Sequence, residues 1–142
     1  MTGMKVAFAW TCGSVLYLIG GFDLFLEALL VCMIVDYLMG LTIAGVFKRS
    51  EKSKNGCLDS FVGWMGISKK ITSLLFIIIA VELQKVSGLV GIREGVILTL
   101  IVNELISIIE NAGIMGIPVP DPIKKMIDVL KPQVDSATNE SK

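Results

Sequence analysis

The chain has 142 residues, with 13 basic and 13 acidic side chains and no histidine. A zero net charge gives no whole-chain field to draw nucleic acid, and the lack of His removes the commonest general base and transition-metal ligand. Hydrophobic residues make up 54% and charged residues 18%, with a mean hydropathy of +0.76. Soluble domains average roughly 45–50% and about 25%, so the composition excludes an ordinary soluble domain and implies an integral membrane protein.

The cysteines, Cys12, Cys32 and Cys57, show no paired spacing, and an odd count gives no disulfide framework. No metal-ligand spacing and no nucleophile with a base stand out, so no catalytic, metal or cofactor site is expected.

The first apolar run, residues 6–22 (VAFAWTCGSVLYLIGGF), is at the lower limit for crossing a bilayer. It can span, or it can lie in the interface. After the turn GGFD comes a longer run, residues 24–47, long enough to span with tilt. Glu27 is near one end of it, while Asp36 is close to its middle. Gly40 and Ala44 in this run are candidate helix-packing positions.

KRSEKSKNG is a loop. CLDSFVGWMGISKK is semi-polar, with Trp64 at an interface-like position. A third helix is expected from about Lys69 to Lys85, and a fourth from about Ile92 to Ala112, stopped by Pro118, Pro120 and Pro122. DPIKKMIDVLK suits a short amphipathic helix, and PQVDSATNESK reads as a disordered polar tail. The fold expected is all-α, with about four membrane helices, the first short, and a short amphipathic C-terminal helix. Residues 1–117 form the membrane-embedded domain and 118–142 a cytoplasmic helix and tail.

Orientation follows the basic residues of short loops. Residues 48–70, taken as a loop, hold Lys48, Arg49, Lys52, Lys54, Lys69 and Lys70; residues 83–94 hold only Lys85 and Arg93. Six against two places 48–70 in the cytoplasm. The C-terminus is then cytoplasmic, and so is the N-terminus if the first run spans.

The stretch NELISIIEN, residues 103–111, continues an apolar run with two carboxylates and two amides. At about 100° per residue, Thr99, Asn103, Glu104, Ser107, Glu110 and Asn111 fall within an arc of about 140°. A carboxylate at bilayer depth costs roughly 2.5–3.5 kcal/mol on insertion scales, so Asp36 and Glu104 should both face inward. Neither has an obvious basic partner within the apolar runs. They are protonated, or hydrogen-bonded across helices, or beside water. The polar face either joins the helices of one bundle or lines an opening between subunits.

GGFD, LLVCMIVDYLMG, GISKK and VNELISIIENAGIMGIPVP follow one another in an order and spacing that resemble the phage-lysis and toxin-secretion holins, over about residues 20–130. DYLMG is similar to the family's D-Y-x-x-G, with Leu-Met where a β-branched residue before the glycine is usual. NELISIIEN and GIPVP are similar to its N-E-x-x-S-I-x-E-N and G-x-P-x-P. The resemblance implies a non-enzymatic prophage protein of the bacterial cytoplasmic membrane. Such a protein associates with itself in the lipid bilayer and opens lesions through which a cell-wall hydrolase or a large toxin leaves. The competing reading is a membrane subunit that does not permeabilise, such as an antiholin.

Overall fold

The computed structural model describes residues 2–47 and 60–139, and among these all regular structure is helical. Five helices follow in order: α1 (Thr2–Leu18), α2 (Leu24–Thr42), α3 (Ser60–Ser87), α4 (Ile92–Met115) and α5 (Asp121–Asn139). A single π-helical turn, Ile43–Phe47, prolongs α2. Two stretches are long and apolar enough to cross a membrane, Leu24–Val46 and Gly63–Ser87, against the four expected from sequence.

The core is a seam between α2, α3 and α4. Leu26, Leu29 and Met33 come from α2, Ile77 and Val81 from α3, and Ile97 and Ile101 from α4, with Ile19 closing one end. Spacings of three, four and seven put each set on one helix face. The outward faces of α2 and α3 stay apolar, with Val31, Ile34, Leu38, Ile71, Leu75, Phe76, Ile79 and Leu83 exposed, as a lipid-facing surface requires. Lipid tails are as apolar as these side chains, so burial from water does not drive the association within a bilayer. Close packing and polar contacts must. One close contact is Tyr37 on the α3 glycines. A methyl at Gly66 would lie 3.6 Å from the Tyr37 ring, and one at Gly63 would lie 3.8 Å from its hydroxyl.

The helix ends carry their own instructions. Asp23, in extended backbone, caps α2 by accepting the Leu26 N–H on Oδ1 at 2.9 Å. At the far end of α4 the expected proline stop is instead a glycine turn. Gly116 has φ +72°, and Ile117 N–H reaches back to the Ala112 carbonyl at 2.9 Å. Only a left-handed residue closes a helix this way, so the prolines come after the helix has ended. Pro122 falls in the first turn of α5, where its missing N–H costs nothing.

Three sequence expectations change. Helix α3 begins at Ser60, not near Lys69, so residues 60–70 are helix and not loop. The C-terminal helix does not end before Pro132 but runs through it to Asn139, and it packs on α4 with Ile127 buried. Gly40, expected at a packing position, has open space where a side chain would be; Ala44 is buried. The basic residues Lys48, Arg49, Lys52 and Lys54, on which the orientation rests, lie outside the described residues, as does Cys57.

Helix α1 stands apart. It has no extensive packing against another helix, and Met4, Phe8, Trp10 and Tyr17 are all more than 70% exposed. Two of its hydroxyls bond within the helix, Thr11 to the Ala7 carbonyl at 3.0 Å and Ser14 to the Trp10 carbonyl at 2.8 Å. An apolar helix without a lateral partner is compatible with lipid on all sides.

Candidate functional site

The apolar seam of each helix continues into a charged residue. On α2 the row Leu29, Met33 leads to Asp36; on α3 the row Val81, Ile77 leads to Lys70; on α4 the row Ile97, Ile101 leads to Glu104. These three meet. Lys70 Nζ donates to Asp36 Oδ2 at 2.8 Å and to Glu104 Oε2 at 2.5 Å. Asn111, seven residues beyond Glu104 on the same face, donates from Nδ2 to Asp36 Oδ1 at 2.9 Å. All four side chains are largely buried.

This corrects the expectation that Asp36 and Glu104 lack a basic partner. Reading α3 from Lys69 makes Lys70 a helix-end residue. With ten helical residues before it, Lys70 sits inside the bundle. Removing one partner of such a buried group strands the others, at about 3–5 kcal/mol. The cluster therefore fixes the rotation of three helices about their axes.

A second polar cluster sits at the other end. Arg93 is 4% exposed. Its Nε donates to the Ile19 carbonyl at 2.7 Å, its Nη2 to the Gly21 carbonyl at 3.1 Å, and its Nη1 to Asp23 Oδ2 at 2.5 Å, with Glu94 at 3.5 Å. The guanidinium thus reads the turn between α1 and α2. The turn is shaped for it: Gly20 and Gly21 have φ +86° and +95°, and a side chain on Gly20 would lie 2.9 Å from Arg93 Nε. Arg93 holds the Asp23 carboxyl below its ordinary range, first by hydrogen bonding, with the Leu26 N–H adding to the effect. The first turn of α4 is tied to α3, since Gln84 Oε1 accepts the Arg93 N–H at 3.2 Å. From sequence alone Arg93 counts only as a loop charge. The signal available was the pairing of a lone Arg with the acidic, double-glycine turn GGFD.

The polar face expected on α4 divides. Arg93, Ile97, Glu104 and Asn111 lie along one line of the helix and face the bundle. Asn103 and Glu110 are exposed, with Thr99 beside them and Ser107 half-buried between the two edges. At about 100° per residue, Thr99, Asn103 and Glu110 point roughly opposite to the buried Ile97, Ile101 and Ala112. One edge of the face therefore closes the bundle and the other leaves it. Lys69 is exposed on α3. Among the described residues, no group of three His, Cys, Asp or Glu could hold a metal ion, and every buried side-chain nitrogen and oxygen has a hydrogen-bond partner.

Comparison with known proteins gives this arrangement a family. Residues 13–132 match the bacteriophage holin family. The chain belongs to that family. A probable holin of Bacillus phage phi105 is 28% identical over 138 residues, covering 96% of this chain and 90% of the phage protein. An uncharacterized protein of Halalkalibacterium halodurans is 37% identical over 134 residues, covering 90% of this chain and 93% of its own. An uncharacterized protein of Listeria monocytogenes is 37% identical over 112 residues, covering 78% and 74%. No solved structure matches. The family match spans both polar clusters of this holin, from the GGFD turn through Asn111.

Proposed function

We propose that this holin assembles with copies of itself in the bacterial cytoplasmic membrane and opens lesions through which a cell-wall hydrolase or a large secreted protein leaves. Family membership supports the class of function. The observation that carries the mechanism is the outward edge of α4, where Asn103 and Glu110 are exposed on a bundle whose outward α2 and α3 faces are apolar over most of their length. The buried cluster satisfies its own polar groups and needs nothing further. The outward edge does not, and in a bilayer its polar groups must meet water or another protein. Both are available at a subunit interface that borders an opening.

In this reading α2, α3 and α4 cross the membrane, α1 either crosses or lies in the interface, and both α5 and the basic segment 48–59 are cytoplasmic. The test is inducible expression in a bacterial host with a potential-sensitive dye. The expected result is a delayed, abrupt loss of membrane potential, followed by release of a co-expressed cytoplasmic hydrolase. Accumulation in the membrane with the potential intact would instead identify a non-permeabilising subunit.

A further inference from the structure

The outward edge of α4 carries a carboxylate, and α3 carries an exposed cation at matching depth. Glu110 and Lys69 are both exposed, and neither has an ion-pair partner among the described residues. Each lies several residues inside its helix. Lys69 is six residues past Gly63, where the apolar stretch of α3 begins, and Glu110 is five residues before the end of α4 at Met115.

Two contacts set the antiparallel register of α3 on α4. Gln84 meets Arg93 toward one end, and Lys70 meets Glu104 near mid-span. Counted at about 1.5 Å per residue from the first contact, Lys69 lies within about 3 Å of Glu110 along the membrane normal; counted from the second, within about 8 Å. The long, flexible stem of a lysine spans that offset. The two charges therefore share a depth but do not meet within one chain. Neighbouring copies inserted in the same orientation also share a depth, so they can bring the two together.

We propose that Lys69 of one copy pairs with Glu110 of the next, so that the occupant of the outward α4 edge is the α3 flank of a second copy of this chain. The proposal deepens the self-assembly reading above and rests on it. A contact between two different residues repeats as a ring or an open array where each copy turns Lys69 and Glu110 to different neighbours, and closes as a two-fold dimer where both meet the same one. Asn103 lies on the same edge as Glu110 and extends the polar contact toward mid-membrane. A lysine–carboxylate pair also removes two charges from lipid at once, which no apolar partner could do.

The arrangement has an unusual genetic signature. A Lys69→Glu copy presents two acidic positions, and a Glu110→Lys copy presents two basic ones. Either alone sets like charges against each other at every contact. Alternating copies of the two variants restore opposite charges at every contact. The measurement is the oligomer fraction of the full-length chain, by native electrophoresis of membranes dissolved in mild detergent and normalised to the amount inserted. Each single variant should lose about tenfold or more of its oligomer, since like charges across an interface cost heavily. Co-expression of the two variants should restore it, and so should Lys69→Glu with Glu110→Lys in one chain.

Single variants that assemble like the parent would overturn the pairing, as they would if each side chain reaches the headgroups alone. Rescue by the double variant but not by co-expression would place the pair within one chain and overturn the intermolecular contact. Failure of both rescues would mean that the residues act through folding or insertion only. Membrane potential recorded in the same cultures separates the two claims. Oligomers that follow the charge pattern without depolarising cells support the contact and refute the lesion; depolarisation that ignores the charge pattern does the reverse.

Discussion

Asn111 Nδ2 donates to Asp36 Oδ1 at 2.9 Å, filling the Asp36 oxygen that Lys70 leaves open. The ammonium of Lys70 in turn serves two carboxylates, Asp36 and Glu104. Its loss should therefore matter more than the loss of either acid. Lys70→Leu leaves two buried carboxylates facing each other and should cost about 3–5 kcal/mol. Glu104→Gln leaves one cation with one anion and an amide, and should cost no more than about 1.7 kcal/mol. Unfolding of the detergent-solubilised protein, followed by helical circular dichroism, gives both values. Equal costs for the two variants would refute the central role of Lys70.

Asn111 and Asn103 share a helix but not a surface, so their leucine variants should fail differently. Asn111→Leu strands Asp36 Oδ1 and should lower stability by about 1–3 kcal/mol. Thr99→Leu with Asn103→Leu should leave stability and insertion near the parent while delaying depolarisation, because interhelical polar contacts average only about 0.6 kcal/mol each. The same stability loss in both would mean that the outward edge is packed inside one chain.

Arg93 should govern where α1 points. Arg93→Lys keeps the charge, but a single ammonium cannot reproduce the planar fork that meets Ile19, Gly21 and Asp23. A spin label at Thr11 should become markedly more mobile. Gly20→Ala should have the same effect, because its left-handed backbone strains any side chain and the new methyl would collide with Arg93. Gly21→Ala has open space around it and should disturb α1 less. Unchanged label mobility in Arg93→Lys would show that α1 is held by something else.

Acid should release the same turn. The folded-state pKa of Asp23 is depressed by Arg93, so the ionised carboxylate contributes stability that is complete above its ordinary value of 3.8. That contribution is lost as pH falls through the lower folded value. Spin-label mobility at Thr11 should be flat from neutral pH down to about 4 and rise below that. In Asp23→Asn the acid-induced rise should disappear. A rise centred near neutral pH would assign the transition to another group.

Topology is open to direct labelling. In a background without Cys12, Cys32 and Cys57, a cysteine at Lys54 should resist a membrane-impermeant thiol reagent in intact cells, as the basic segment predicts. A cysteine at Thr2 should also be protected if α1 crosses the membrane, and labelled if it does not. Labelling of Lys54→Cys from outside would reverse the orientation.

Much of this fold is legible in the sequence because apolar runs are continuous and their ends are marked by glycine, proline and lysine. The helices α2 and α4 fall close to where hydropathy puts them, and Asp36 and Glu104 face inward, as buried charges at mid-span must. What hydropathy hides is a helix that starts before it turns apolar. SFVGWMGISKK is too polar to read as part of a span, and so Lys70 reads as an end when it is a centre. The double duty of the α4 polar face is hidden for a related reason. A wheel gives the angle between Asn103 and Asn111 but not the direction of the bundle, which depends on the packing of Ile97, Ile101 and Ala112. Arg93 is missed because a charge near a turn counts equally for topology whether it is solvated or buried.

The π turn at Ile43–Phe47 gives the chain a tolerance that the rest of α2 lacks. A π turn closes its hydrogen bonds one residue further on than an α turn does, so it holds a spare residue. Deleting one residue within 43–47 lets the turn relax to ordinary α-helix, and nothing upstream has to rotate. Deleting one residue between Leu26 and Asp36 would instead swing Asp36 by about 100° away from Lys70. The foot of α2 is thus the place where the chain can lose a residue without breaking the buried charge cluster.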